Sequence, residues 1–459
     1  MNKTLAHTLA EYVANFKLKD MDANSIKNAK LAIMDSIGCG IAGSTDQAVE
    51  LLINTLKDAE EYGKIPIFGK ATQFLPGAAA LINGTMIHAK ELDDTHSFSS
   101  VHPGSSVIAS ALTACSNKAT DGIRFIEAVV VGYEISCRIG TAIRGESPYH
   151  RGFHPTGICG VFGSATAVGK VYGFNPREYL HAWGLSGSMA SGLMAYLQNG
   201  AWTKKLHPGL AAQSGFLSAS LSNAGFLGPD DIFQGQYGFL EAYSNKVDIN
   251  SLSQGLGSIF EINRISYKPF ACCRTIHAPI TAALELKKRL NIQPIDIEEI
   301  HAVIADEDIP LVVEPLEKKK QPKTPVEAQF SMPFGVALAL VEGNAMHDQY
   351  TREKVKDRLI RRLTAKFTYT ISQEYTKLRP LFFPCKLSIR IGEKWHSAYV
   401  KAPLGDYTNP LSEDQMIAKF RSLCDPLIGV ELRQGLETFI LSFDQQKEAH
   451  KIGNLFRIH

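Results

Sequence analysis

No stretch of this 459-residue chain reaches the roughly eighteen uncharged apolar residues that a bilayer-spanning helix requires. The most apolar run, FIEAVVVGYEIS from Phe125 to Ser136, is shorter and carries two glutamates. The start, MNKTLAHTLAEYV, lacks the apolar core and cleavage site of a secretory leader, so neither export nor a membrane partner is expected. An excess of one charge is missing too: 48 basic residues against 46 acidic give +2, which argues against a nucleic-acid surface. The densest basic run, KKKQPK at 318–323, reads as a solvated loop. Cysteine is present but unpatterned. Cys39, Cys115, Cys137, Cys159, Cys272, Cys273, Cys385 and Cys424 form no CxxC and no zinc-type spacing, and a reducing, cytoplasmic location is expected. Also absent are a nucleophile elbow, a Walker loop and a dinucleotide fingerprint. What remains, 45% apolar and 20% charged, is an ordinary globular composition in a chain long enough for two domains.

Against those absences stand three His-Pro dipeptides: His102-Pro103, His154-Pro155 and His207-Pro208. Each leads into a run rich in Gly, Ala and Ser. Proline has no N–H and a fixed φ, so it is tolerated in the first turn of a helix. The pattern therefore predicts three histidines at three helix mouths, whose unpaired N–H groups would form an anion pocket equipped with proton carriers.

Helical spacing is predicted near 5–17, 24–40, 47–57, 73–90, 104–117, 122–144, 157–171, 176–197, 208–224 and 229–243. Gly157, Gly160 and Gly163 recur at every third position and suggest close helix packing. The texture changes after about 260. IEEIHAVIA, RLTAKFTYTI and CKLSIRIGEKWHSAYVKAP read as strands, while AALELKKRL and MPFGVALALVEG between them read as helices. From Ser412 the helical pattern returns, with Gln415 placed to complete a capping box. The fold class is therefore mainly α: a large helical domain, 1–265 plus 405–459, with an inserted α+β domain at 266–404.

The densest polar cluster is HAKELDDTHSFSSVHP, from His88 to Pro103. Within it Glu91, Asp94 and His102 can fix a histidine tautomer for general base chemistry. His88, Glu91, Asp93 and His96 offer metal-ligating atoms, but there is no HExxH and no standard spacing, and no metal is expected. Arg144 and Arg151 precede His154 as candidates for gripping a carboxylate, and Lys204 and Lys205 precede His207. Lys268, Arg274 and His277 add positive charge at the domain boundary, where small-molecule sites are favoured. This inventory suits removal of a proton beside a carboxylate, with cations holding the charge that builds up. Dehydration, decarboxylation and epimerisation can all be built from those parts.

Six motifs, ELDDTH…HPGSS, RGFHPTG, TKKLHPGLAAQSG, YKPFACCRTIHAPI, EAQFSMPFGVALAL and PLGDYTNPLSEDQMIAKF, together resemble the MmgE/PrpD family over nearly the whole chain. That family includes 2-methylcitrate dehydratase, cis-aconitate decarboxylase and iminodisuccinate epimerase. The resemblance implies a helical domain built from both ends of the chain, an inserted lid, a homodimer, and no metal or organic cofactor. It also implies a pocket of Glu91, Thr95, His102, His154 and Lys204, with Lys268 from the lid. His102, His154, Lys204 and Lys268 are then the catalytic candidates; Glu91, Asp94, Thr95, Arg144, Lys205, His207, Arg274 and His277 are the substrate-binding ones. Two residues depart from the family pattern. Glu91 stands where Asp is usual, and Phe334 takes a place where the decarboxylase members carry a tyrosine hydroxyl. On that basis the sequence favours a cofactor-free hydro-lyase acting on 2-methylcitrate or citrate, as in propionate catabolism. A cis-aconitate-type decarboxylase or an iminodisuccinate-like epimerase is the alternative.

Overall fold

The computed structural model describes residues 4–144 and 148–457, and they form two compact units. The first comprises Met1–Ala195, Thr203–Ser266 and Ser412–His459; the second comprises Tyr196–Trp202 and Tyr267–Leu411.

The first unit is a helical assembly. Its helices are α1 (Leu5–Asn15), α2 (Ala23–Gly43), α3 (Gln47–Asp58), α4 (Pro76–His88), α5 (Pro103–Asn117), α6 (Gly122–Ala142), α7 (Pro155–Tyr172), α8 (Pro176–Met189), α9 (Thr203–Asn223) and the short α10 (Phe239–Tyr243). Strand β1 (Tyr62–Pro66) pairs with β2 (Gln73–Phe74), and β3 (Thr95–His96) pairs antiparallel with β4 (Ile265–Ser266). These short pairs are too brief to leave an alternating pattern in the sequence. Helices α4, α5, α6 and α7 are buried along nearly their whole length, so apolar and small residues cover every face rather than one stripe. Small residues let them approach closely. A Cβ at Gly163 would lie 2.7 Å from the Gly132 carbonyl on α6, and one at Gly209 would lie 2.3 Å from the Leu81 carbonyl on α4.

Two expectations change here. Pro103 and Pro155 each open a helix, with His102 and His154 at the N-caps, but Pro208 lies inside α9, which begins at Thr203. Pro208 removes a single N–H near the helix start, a defect that close packing of α9 against its neighbours offsets. The helix expected over 229–243 shrinks to Phe239–Tyr243, because Gly228, Pro229, Gly235 (φ 92°) and Gly238 interrupt it.

The second unit is α+β. It contains α11 (His277–Leu290), β5 (Ile297–Ile304), α12 (Leu316–Lys320), α13 (Pro325–Gln329), α14 (Met332–Glu342), α15 (Arg352–Lys356), α16 (Arg358–Ala365), β6 (Phe367–Ile371), α17 (Gln373–Lys377), β7 (Cys385–Ile391) and β8 (Lys394–Val400). The sheet order is β6-β5-β7-β8, parallel only between β5 and β6. The basic run at 318–323 is not the solvated loop expected. Its first half forms the end of α12, and the Lys319 ammonium donates to the Leu311 and Phe330 carbonyls, 2.7 Å from each. Burial lowers its pKa to about 8.

The chain then returns to the first unit as α18 (Glu413–Ile428) and α19 (Val430–Leu441). Ser412 and Gln415 cap α18 reciprocally, as the sequence predicts. Among the described residues no helix is long and apolar enough to cross a membrane.

Candidate active site

Two helix mouths and one helix flank bring four polar side chains of the first unit together. His102 and His154, the N-cap residues of α5 and α7, do not cap their own helices with their imidazoles. Their ring centroids lie 6.4 Å apart, and the His102 amide donates to Thr156 Oγ1 at 3.1 Å, tying the two mouths together. Lys204 and His207 come from α9. Three positions apart, they share a helix face.

Hydrogen-bond geometry assigns the tautomers. His102 Nδ1 is 2.6 Å from the Asp94 carbonyl oxygen and 3.0 Å from Thr95 Oγ1. A carbonyl only accepts, so Nδ1 carries the proton and Nε2 the lone pair. His88 Nδ1 lies 2.6 Å from Asp93 Oδ2, which leaves its Nε2 to accept from the Lys204 ammonium at 2.8 Å. Lys204 also donates to Glu91 Oε1. Asp93, His88, Lys204 and Glu91 thus form one buried chain. Beside it, His154 Nδ1 and His207 Nδ1 are 3.2 Å apart, so one donates and the other accepts.

Burial, reinforced by the Lys204 charge and neighbouring imidazoles, drives the His154 pKa well below its usual value and that of His207 down to about 4. Burial also lowers His88, against the opposing pull of Asp93. These three imidazoles are therefore neutral at pH 7. Asp94 is pushed up to about 8, chiefly by burial, while Tyr133 and Gly104 donate to its carboxylate at 2.7 and 3.1 Å.

Local backbone explains how the turn presents these groups. Glu91 adopts a left-handed conformation (φ 56°), an uncommon state for a residue with a side chain, costing about 1–2 kcal/mol. It follows the end of α4 and reverses the chain so that Glu91 meets Lys204 while Thr95 enters β3. Strand alternation then sends Thr95 toward His102 and His96 the other way. His96 joins a separate buried network, with Nδ1 2.8 Å from Ser99 Oγ and Nε2 3.0 Å from Glu261 Oε2. It is not part of any metal set with His88.

His88, Asp93 and His102 do bring three ligand-type atoms within 4.8 Å of one another. Yet the Nδ1 protons of His88 and His102 are engaged with Asp93 and the Asp94 carbonyl, and His88 Nε2 accepts from Lys204. The arrangement is satisfied as hydrogen bonds and fits a metal poorly.

The remaining sequence-derived candidates fall elsewhere. Lys205 pairs with Asp46 at 2.7 Å, and Arg144 donates to the Phe98 carbonyl at 3.2 Å and Ser100 Oγ at 3.0 Å, bracing the loop before His102. Lys268, Arg274 and His277 belong to the second unit. There Lys268 is buried, Arg274 pairs with Asp406 and stacks on Phe383, and His277 Nε2 is 3.3 Å from the Cys272 carbonyl. Phe334 is buried in α14 against Tyr350. Sequence reading passed over His88 and Asp93 as a tautomer-fixing pair, although both stand in the polar run it singled out. It also assigned to carboxylates the support of His102 that a backbone carbonyl provides.

Residues 7–252 match the MmgE/PrpD N-terminal domain and residues 270–445 match the MmgE/PrpD C-terminal domain. The chain is similar to a cis-aconitate decarboxylase-like protein, oryM, of Aspergillus oryzae, at 27% identity covering 97% of this chain and 95% of the relative. It is 26% identical to a cis-aconitate decarboxylase of Aspergillus terreus (95% and 92% covered) and 24% identical to that of Mus musculus (100% and 94%).

Proposed function

The chain belongs to the MmgE/PrpD family, and on that premise we propose that it decarboxylates a small unsaturated tricarboxylate of the cis-aconitate type at the His102–His154–Lys204 cluster. The relatives' names move the weight from dehydration, which the sequence favoured, to decarboxylation. The observation that carries the reading is the commitment of His102 Nδ1 to the Asp94 carbonyl, which leaves Nε2 as the nitrogen that can take up a proton and pass it on.

The chemistry balances as follows. Carbon dioxide leaves from the saturated arm of the trianion, and the electron pair of that bond becomes a terminal double bond. The original double bond yields its electrons to the carbon that bears a retained carboxylate, and this carbon takes one proton. His102, protonated as the trianion arrives, supplies that proton and becomes neutral. Charge gathers on the retained carboxylate during the step, so a cation there contributes more in the transition state than before it. Lys204 fills that role. Neutral His154 donates a hydrogen bond without adding charge, which suits a carboxylate that must lose its electrons.

Dehydration of 2-methylcitrate or citrate remains a second reading, favoured by Phe334, which offers no hydroxyl proton. In that case neutral His102 Nε2 takes the proton beside a carboxylate and hydroxide leaves the neighbouring carbon. EDTA-treated protein should release carbon dioxide from cis-aconitate in D2O and incorporate one deuterium into the product. Absorbance growth from 2-methylcitrate or citrate without carbon dioxide release from cis-aconitate would select dehydration. Silence with all three acids would refute both.

A further inference from the structure

Lys419 takes no part in the reaction drawn above, yet it is a buried ammonium brought to the catalytic turn from the far end of the sequence. It sits on α18, in the segment that returns after the second unit. Its Nζ lies 2.6 Å from Asp35 Oδ1 on α2 and 2.7 Å from the carbonyl oxygen of Leu92. The two helices meet closely: a Cβ on Gly38 would stand 3.0 Å from the Phe420 ring. Asp35 and Gly38, one helical turn apart, face the same partner.

Leu92 follows Glu91, whose left-handed backbone reverses the chain and turns the Leu92 carbonyl into the interior. A buried carbonyl requires a donor, and Lys419 supplies one. The next residues are Asp93, which fixes His88, and Asp94, whose own carbonyl fixes His102. Pinning one carbonyl in this turn therefore sets the positions of three groups: the Glu91 carboxylate, the Asp93 carboxylate and the Asp94 carbonyl. Asp35 in turn holds Lys419 and balances its charge.

We propose that Lys419 is a positioning residue for the reaction assigned to the His102 cluster. It locks the Glu91–Thr95 turn in the geometry in which Glu91 meets Lys204 and the Asp94 carbonyl meets His102. The proposal rests on that functional reading, but the order of the turn can be measured without it. The C-terminal helices are, on this view, part of the catalytic apparatus.

Removing Lys419 alone strands the Asp35 charge and threatens folding. The informative protein is the full-length double variant Lys419→Met with Asp35→Leu, which removes both charges. Its thermal unfolding should stay close to wild type, while amide hydrogen exchange across 88–96 becomes faster. With cis-aconitate its kcat should fall about 10²-fold while KM changes little, as misplacement by about an ångström predicts. Lys419→Arg, which keeps donor and charge, should recover most of the rate. Wild-type exchange across 88–96 in the double variant overturns the proposal, as does wild-type kcat. A wild-type protein inert toward cis-aconitate refutes the functional reading instead, and the exchange measurement still decides the role of Lys419.

Discussion

Lys204 and Lys205 are adjacent in the chain and both buried, yet they serve different ends: Lys204 donates to Glu91 and to His88 Nε2 at 2.8 Å, whereas Lys205 reaches Asp46 at 2.7 Å. One step along a helix turns a side chain through about 100°, enough to separate a reactive cation from a structural one.

That separation sets a clear expectation. Lys204→Met, paired with Glu91→Gln to avoid a stranded charge, should fold and lose about 10²-fold or more in kcat/KM, because a transition-state contact is gone. Lys204→Met alone should also lose about 3–5 kcal/mol of stability, the usual consequence of breaking a buried pair. Lys205→Met should leave kcat within about threefold of wild type, since it meets no group of the cluster. Equal losses in the two single variants would refute the division of roles. Steady-state kinetics with thermal melts on all three proteins gives the answer.

His102 can be probed through its two nitrogens. An asparagine at 102 places an amide N–H near the position of Nδ1 and can keep the bond to the Asp94 carbonyl, but it has nothing at Nε2. His102→Asn should therefore bind the tricarboxylate with little change and lose about 10²–10⁴-fold in kcat. Calorimetric binding alongside turnover separates the two effects. An asparagine variant with near-native kcat would remove His102 from the proton path.

The acid side of the stability profile should belong to the histidine cluster. His207 has a folded pKa of about 4 against 6.5 as its ordinary value, so its contribution is complete above about pH 6.5 and is lost as the pH falls through about 4. The unfolded chain takes up that proton first, and Lys204, His88 and His154, which face His207, make the folded state resist it. Chemical denaturation between pH 4 and 8 should show stability rising toward neutrality, with a shallower slope in His207→Asn. An unchanged slope in the variant would place the acid sensitivity elsewhere.

Much of the fold could be read from the residues. The Ser412–Gln415 capping box, the strands at 297–304 and 385–400, and the close packing at Gly163 follow from local rules of capping, alternation and side-chain size. Pro208 was misread for an equally local reason: a proline signals a helix start only when no tertiary packing holds the helix through it. Likewise, nothing in KKKQPK tells that Lys319 finds two carbonyls.

What the sequence determined by itself was the chemistry available: imidazoles beside small-residue helix starts, lysines two and three positions before a histidine, and a dense acidic turn at 91–94. These are properties of neighbouring residues, and neighbouring residues are what a sequence displays. Tertiary structure decided which atoms were used. The Asp94 carbonyl rather than a carboxylate fixes His102, Asp93 fixes His88, and Lys419 reaches Leu92 across 327 positions of chain. Backbone carbonyls are the same in every residue, and contacts at such separation leave no periodicity, so only the packed helices could select them.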